Sequence, residues 1–230
     1  HGVMNTDNST ICGETIDYGP CAFMDQYDHK AVFSSIDYQG RYAYGNQPAT
    51  IHWNLVRLVE SLLPLVDKDE SKSIKIAQNT IDSFSEIFQE KWQNMMRSKL
   101  GLTDRSGEDE VLIKDLLTWM QSKKPDFTNT FCNLMGCKHA NDEDFENSDF
   151  IVWKKNWSER IRNNDYLNIM KKTNPILIPR NYLVEEALIE AETEGKFVKF
   201  RKLVEVLSKP YEQLDIDDKY SKTPQIKAEP

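Results

Sequence analysis

Apolar residues recur at helical spacing along most of the chain after Pro48. In the stretch TIHWNLVRLVESLLPLV they fall on one side of a helix, as expected for an element with one buried face. The residues on that side are Ile51, Leu55, Leu58 and Leu62. We therefore expect a mainly α fold with a helical body over 51–212. The pattern predicts helices over 50–66, 71–99, 108–122, 149–163, 165–172, 180–193 and 195–208.

The first fifty residues have a different pattern. They hold five of the nine glycines, and short β-prone runs occur at Thr15–Ile16 and Arg41–Tyr44. We interpret this part as loops and short strands, the kind of region that carries binding and catalytic residues. Two further segments are polar: 136–149 is predicted to be an exposed acidic loop, and 213–230 a poorly ordered tail.

Composition narrows the classes of function. The 230 residues carry a net charge of −8, which argues against a nucleic-acid backbone as the main partner. No window approaches the length of apolar sequence that a membrane span needs. The four cysteines are too few and too scattered for a disulfide framework, which favours a reducing compartment. The pair Cys132 and Cys137 lacks the second half of a zinc site.

The opening segment, HGVMNTDNSTICGETIDYGP, concentrates the polar chemistry. Protein kinases use a loop H-x-D-x-x-x-x-N, whose Asp accepts a proton and whose Asn binds Mg²⁺, followed by an Asp-aromatic-Gly with a second metal ligand. His1, Val3 and Asn8 occupy the three loop positions here, and Asp17-Tyr18-Gly19 follows. Val3 cannot take a proton, but Asp7 stands directly before the Asn. The pattern indicates a retained Mg²⁺ site with a displaced base.

The residue pattern alone leaves other interpretations open. Asp7 and Asn8 could cap a turn, because both side-chain types bond to nearby backbone N–H groups. If they form a site, the chain could be a phosphotransferase with a displaced base, or a catalytically inactive pseudokinase that acts as a scaffold. Arg41 could face a phosphate, but a structural pair with Asp37 is the favoured interpretation. The five tryptophans are interpreted mainly as packing residues.

Several motifs resemble the selenoprotein O family of the protein-kinase-like superfamily. They are HGVMNTDN and TIDYGP in the opening segment, S-x-D-x-x-G-R-Y-A over Ser35–Ala43, and N-Q-P-x-x-x-x-W-N-L over Asn46–Leu55. The similarity continues through DFTNTFCNL at 126–134, NPILIPRNYLVEEALIEAE at 174–192 and RKLVEVLSKPYEQ at 201–213. It covers nearly the whole chain, and the first twenty residues are its most specific part.

The resemblance implies a pseudokinase that performs protein AMPylation. Members of the family bind ATP and transfer AMP to Ser, Thr or Tyr hydroxyls of proteins, with release of pyrophosphate. By the family pattern Asp7 is the proton acceptor, Asn8 binds Mg²⁺, and Asp17 binds Mg²⁺ and contacts ATP, with Mn²⁺ as the alternative metal. The resemblance also implies a mitochondrial location if the protein is eukaryotic.

The resemblance further indicates what this sequence lacks. In the family the nucleotide-binding Lys, the Gly-rich segment and the phosphate-binding Arg residues precede the HGVMNTDN motif. We therefore expect 1–50 to be the catalytic-loop and metal-binding segment of a kinase-like C-terminal lobe, with 51–212 as its helical body. We expect the chain, as a fragment without the N-terminal lobe, to bind ATP poorly and to transfer nothing alone.

Overall fold

The computed structural model describes residues 2–15, 21–137, 145–161, 165–212 and 218–222. Helices account for most of these residues, which confirms the mainly α fold. Within these ranges no helix is long and apolar enough to cross a membrane. The helices are α1 (Gln47–Val66), α2 (Glu70–Asp82), α3 (Phe84–Lys99), α4 (Asp109–Lys123), α5 (Phe127–Leu134), α6 (Ser148–Arg160), α7 (Tyr166–Thr173), α8 (Asn181–Glu194) and α9 (Val198–Leu207).

The predicted helix over 71–99 is two helices, α2 and α3, separated at Ser83. At this break the hydroxyls of Thr80 and Ser83 donate to the backbone carbonyls of Ile76 and Thr80, at 2.9 and 2.7 Å. Such side-chain hydrogen bonds compete with the helical backbone pattern. Apolar spacing continues through the break, so the period alone could not locate it.

The predicted short strands are wrong where the structure describes them. Arg41–Tyr44 forms a turn that leads into a 3₁₀ helix over Tyr44–Asn46, because backbone and side-chain hydrogen bonds within the turn replace those of a strand. Ile16, in the other β-prone run, lies outside the described residues. Across the described ranges, β pairing is limited to an isolated antiparallel bridge between Gln26 and Asp126.

The chain divides into two compact units. The first unit comprises His1–Cys21 and His29–Asn94, and the second comprises Ala22–Asp28 and Met95–Pro230. The described part of the opening segment therefore belongs to the same unit as α1 and α2.

In the first unit α1 packs against α2. Pro48 lies in the first turn of α1, where its missing N–H is tolerated. Asp69 caps the start of α2 and accepts a hydrogen bond from a backbone N–H at 3.2 Å. The buried Ser73 and Ala77 of α2 are small, and the Ser73 hydroxyl donates to Leu63 O at 2.5 Å. Small side chains therefore permit the close approach of the two helices.

The second unit is built around aromatic residues of α4 and α6. Trp119 stacks on Phe150 with ring centroids 4.5 Å apart. Trp153 and Trp157 are buried, and their indole N–H groups donate to backbone carbonyls at 2.8 and 2.9 Å. These contacts bury large apolar surfaces while satisfying the polar atom of each indole. The packing role expected of these three tryptophans is thus observed.

Two polar segments contain buried residues that the sequence did not indicate. Phe145, in the predicted exposed loop 136–149, is 7% exposed and packs against the Trp119 and Phe150 rings. Residues 138–144 of that loop lie outside the described residues. In the C-terminal segment, a short 3₁₀ helix over Asp218–Tyr220 precedes the buried Ser221.

Arg180 lies at the centre of a buried ion network in the second unit. Its guanidinium is 1% exposed and donates to Asp25 at 2.6 Å, to both carboxylate oxygens of Asp126 at 2.6 and 3.1 Å, and to Ser221 O at 3.2 Å. Burial opposes the positive charge, but the hydrogen bonds and charges of Asp126 and then Asp25 outweigh it and raise the pKa of Arg180. Asp126 also caps α5, a helix that the sequence pattern did not predict.

Lys99, at the end of α3, places its ammonium over two aromatic rings of the second unit. Its Nζ lies 4.3 Å from the ring centroid of Phe131 and 5.5 Å from that of Phe127. Burial lowers the pKa of Lys99 to about 8. The ring faces offset part of the cost of burying the charge.

Lys99→Met should stabilise the second unit at pH 7 by about 2 kcal/mol, after an offset of about 1 kcal/mol for the lost ring contacts. The folded pKa of about 8 lies below the unfolded value of about 10.4. In the wild type, the free energy of unfolding should therefore increase as the pH rises between these two values. In the variant, this increase should be absent. Urea unfolding at pH 7 and at pH 10 measures both effects.

The matched control is Lys155→Met, since that lysine side chain is 75% exposed. It should leave both the unfolding free energy and its pH dependence close to wild type. A destabilised Lys99→Met variant at pH 7 would show that the ring contacts outweigh the burial of the charge.

Candidate active site

The opening segment folds around a 3₁₀ turn over Thr6–Asn8. The backbone N–H of Asn8 donates to Asn5 O at 3.0 Å, and the Ser9 hydroxyl donates to the same carbonyl at 3.1 Å. The Asn8 side-chain Nδ2 donates to Val3 O at 3.0 Å. This bond engages the amide nitrogen and leaves Oδ1, the hard oxygen donor that Mg²⁺ prefers, available as a ligand.

Asp7 lies in this turn with an exposed side chain. Its carboxylate accepts no hydrogen bond and forms no ion pair with any residue in the described ranges. The alternative interpretation was that Asp7 and Asn8 both cap a turn. The structure distinguishes the two residues. Asn8 bonds within the loop, whereas the Asp7 carboxylate has its oxygens available to an incoming group.

Asn54, on α1, holds the turn from both sides. It is 7% exposed, and its Nδ2 donates to Met4 O at 2.9 Å and to Ser9 Oγ at 3.0 Å. Met4 precedes the turn and Ser9 follows it, so one amide group fixes the two ends of the segment that carries Asp7. The sequence motif ending W-N-L contains this asparagine, but its long-range role could not be inferred from spacing.

Asn54→Ala should loosen the turn and reduce the free energy of unfolding by about 1–3 kcal/mol, because it removes both hydrogen bonds and leaves Met4 O without its donor. Hydrogen exchange of the amides around Asp7 should quicken by the corresponding factor. The control is Glu60→Ala on the same helix, where the side chain is 50% exposed. Equal exchange in the two variants would exclude the anchoring role of Asn54.

A second support comes from the turn over Ser35–Ala43. The Asp37 carboxylate accepts hydrogen bonds from the backbone N–H groups of Arg41 at 2.9 Å and Tyr42 at 2.8 Å. The Tyr42 hydroxyl in turn donates to Asn5 Oδ1, immediately before the 3₁₀ turn. The S-x-D-x-x-G-R-Y-A motif therefore supports the loop that carries Asp7, a role that its residue spacing did not indicate.

The expected ion pair of Arg41 with Asp37 is replaced by a different arrangement. Asp37 uses its two oxygens on backbone N–H groups, and the Arg41 guanidinium lies over the rings of Trp53 and Tyr42, 5.4 and 5.6 Å from their centroids. Arg57 lies over the Trp53 ring as well, at 5.3 Å. Trp53 is 45% exposed, so its ring packs against these cations at the surface and not in the core.

The backbone conformation at the start of the loop favours glycine at position 2. Its φ is +68°, a conformation that side chains with a Cβ rarely adopt. A Cβ there would also lie 3.1 Å from Gln47 Nε2 and 3.3 Å from Tyr42 O. Glycine thus allows the start of the loop to approach both α1 and the supporting turn closely.

The metal-binding prediction is only partly covered by the structure. Asp17, with Tyr18 and Gly19, lies outside the described residues, as does His1. Within the described ranges, no group of three or more His, Cys, Asp or Glu residues could hold a metal ion. Of the two predicted metal ligands, the described residues therefore include only Asn8. Its Oδ1 is a hard oxygen donor and fits Mg²⁺ in chemical type.

The class of protein follows from a comparison with protein families. The family model described as protein adenylyltransferase SelO matches residues 1–208 of the chain. The chain therefore belongs to the SelO family, which confirms the resemblance drawn from the motifs.

Individual relatives agree with this assignment. A protein nucleotidyltransferase YdiU of Pelagibacter ubique is 50% identical over 216 residues, covering 92% of this chain and 44% of the relative. Proteins of the same name from Clostridium botulinum and Clostridium beijerinckii are each 48% identical, covering 97% and 98% of this chain and 47% of each relative. The chain thus spans about half the length of the curated relatives it matches.

Proposed function

We propose that this chain is the catalytic-loop part of a protein adenylyltransferase that transfers AMP from ATP to Ser, Thr or Tyr hydroxyls of proteins with Mg²⁺. The supporting observation is the arrangement of the 3₁₀ turn. Asn8 has its amide nitrogen bound to Val3 O, and the adjacent Asp7 carboxylate is exposed. These are the residues to which the family pattern gives the metal and base roles.

Asp7 is proposed as the general base. Its carboxylate takes the proton of the acceptor hydroxyl as the hydroxyl oxygen bonds to the α-phosphorus of ATP. The bond from that phosphorus to the bridging oxygen breaks, and the electron pair leaves with pyrophosphate. A base that is exposed and without an internal partner is available to a hydroxyl arriving from another protein.

Asn8 and Asp17 are proposed to hold the metal through side-chain oxygens. Mg²⁺ at this position would offset the charge of the phosphates and of the departing pyrophosphate. The Asn8 hydrogen bond to Val3 O fixes the orientation of its amide, so that Oδ1 is presented as the ligand atom.

Val3 distinguishes this proposal from protein phosphorylation. A protein kinase has its catalytic Asp at this position, and a valine side chain cannot accept a proton. We infer that the chain is part of a kinase-like C-terminal lobe in which the base has moved to Asp7. An inactive scaffold is disfavoured, because the base and both proposed metal ligands are present in the sequence.

An experiment with labelled ATP distinguishes AMP transfer, phosphorylation and an inactive scaffold. The full-length protein is incubated with Mg²⁺ and ATP labelled at either the α- or the γ-phosphate, and protein-bound label is measured. Label from the α-phosphate alone is expected. Label from the γ-phosphate would indicate phosphorylation, and absence of label from both would indicate a scaffold.

Two controls test the metal role of Asp17 and the expected inactivity of the isolated chain. Asp17→Ala in the full-length protein should abolish transfer, and survival of activity would contradict the metal role of Asp17. The 230-residue chain alone should transfer no detectable AMP, because the family's nucleotide-binding Lys and Gly-rich segment are outside it. Transfer by the isolated chain would overturn that expectation.

A further inference from the structure

The C-terminal end of α5 has a defined backbone motif. Gly136 has a φ of +74°, its N–H donates to Asn133 O at 3.0 Å, and the N–H of Cys137 donates to Cys132 O at 2.9 Å. This pair of bonds with a left-handed glycine is the Schellman motif. The motif commonly brings together the side chains three residues before and two residues after the helix cap. At both of those positions α5 has a cysteine.

The two cysteines are close neighbours. The side chain of each is the largest cause of the pKa shift of the other, and both cysteines are free. The backbone bond between the same residues keeps their Cα atoms within the roughly 7 Å that a disulfide can span. The helix end therefore places the two cysteines close enough together for a disulfide to form.

The surroundings of the two thiols differ. Cys132 is fully buried, and its Sγ lies 3.9 Å from Pro175 O as a donor. Cys137 is partly exposed. The interaction with the Cys132 side chain lowers the pKa of Cys137, partial burial opposes this, and the charge of Lys171 lowers it further. The same interaction, with burial and the charges of Cys137 and Asp126, raises the pKa of Cys132. Cys137 is thus the thiolate-forming member, and Cys132 keeps its proton.

We propose that Cys132 and Cys137 form a redox-active dithiol that hydroperoxides oxidise to an intramolecular disulfide. The Cys137 thiolate attacks one peroxide oxygen, the O–O bond breaks, and the second oxygen leaves as hydroxide or alkoxide and takes up a proton. The Cys132 sulfur then attacks the resulting sulfenic sulfur, and the S–O bond breaks. The Cys132 proton leaves with that oxygen as water. The two sulfurs lose two electrons, and the peroxide gains them.

Other roles fit the pair less well. Within the described ranges no third His, Cys, Asp or Glu joins the two thiols in a metal-binding group, whereas structural zinc needs four ligands. Two ordinary apolar residues would satisfy the side-chain contact of a Schellman motif equally well. The pair of thiols therefore adds chemistry that the helix end does not need for its own stability.

Mass spectrometry of the unaltered chain tests the proposal. The chain is treated with hydrogen peroxide, alkylated with N-ethylmaleimide and digested with trypsin. Cleavage after Lys123 and Lys138 places both cysteines in one peptide, because Pro125 blocks cleavage after Lys124. Oxidation should leave this peptide unalkylated and two hydrogens lighter than its reduced form, and dithiothreitol should restore both alkylation sites. Full alkylation after peroxide treatment, or sulfinic acid on Cys137 without the disulfide, would overturn the proposal.

Two sets of variants identify the roles. The double variant Cys12→Ser with Cys21→Ser removes the other two cysteines of the chain and should form the disulfide as the wild type does. Cys132→Ser should leave a sulfenic acid on Cys137 that dimedone traps, whereas Cys137→Ser should give no trapped product on Cys132. Trapping on Cys132 with equal yield would contradict the assignment of Cys137 as the attacking thiol.

Discussion

Asp7→Asn in the full-length protein should reduce AMP transfer by about 10²–10⁴-fold, the usual effect of removing a general base. The substitution keeps the size of the side chain and removes its ability to accept the proton of the hydroxyl. Asp7 is exposed and makes no hydrogen bond or ion pair with other described residues, so the fold should be unchanged. Initial rates with α-labelled ATP measure the effect, and unfolding curves check the fold.

Glu14→Gln is the matched control, because Glu14 is another exposed carboxylate of the same opening segment. It should retain AMP transfer within a few-fold of wild type. If both variants transfer AMP normally, Asp7 is not the base. If Asp7→Asn also raises the rate of unfolding, the loss of activity would be structural.

Arg180→Met should destabilise the second unit by about 3–5 kcal/mol. The guanidinium is 1% exposed and forms ion pairs with Asp25 and Asp126. The Asp126 side chain is also 1% exposed. Removing the guanidinium takes this positive charge away from both carboxylates, one of which is fully buried. The substitution also takes a donor from Ser221 O. Denaturant unfolding measures the loss.

Lys202→Met provides the comparison, because Lys202 pairs with Glu205 at the surface with 45% of its side chain exposed. Its effect should stay below about 1 kcal/mol. Asp25→Asn should fall between the two, since the Asp25 side chain is 19% exposed and Arg180 keeps both bonds to Asp126. An Arg180→Met effect no larger than that of Lys202→Met would show that the network contributes little.

Long amphipathic helices were predictable from the sequence because the apolar period extends over several turns. The predictions for α4, α8 and α9 agree with the structure to within about three residues at each end, the usual error of helix boundaries predicted from sequence. The short α5 was not predictable. It has only eight residues, and its start depends on Asp126, whose carboxylate also contacts Arg180, 54 positions away. Contacts of that separation leave no local pattern.

In the candidate site, too, some residues were predictable from the sequence and others were not. Asp7 and Asn8 could be chosen from residue type and spacing, because the kinase-type loop requires a metal-binding Asn and a carboxylate that takes a proton. Asn54 and Tyr42 could not, since each supports the loop from more than thirty positions away. Their motifs were visible as a resemblance, but only the folded chain shows that they hold the turn. The role of Asp17 remains a prediction.

The position of segment 22–28 has a consequence for how the chain folds during synthesis. This segment belongs to the second unit, although the residues on both sides of it belong to the first. Its Asp25 pairs with Arg180, which is synthesised 155 residues later. At a synthesis rate of about 5–20 residues per second, Arg180 is added roughly 8–30 s after Asp25. The second unit therefore cannot complete its ion network cotranslationally until most of the chain has left the ribosome, and no single cut can divide the protein into its two units.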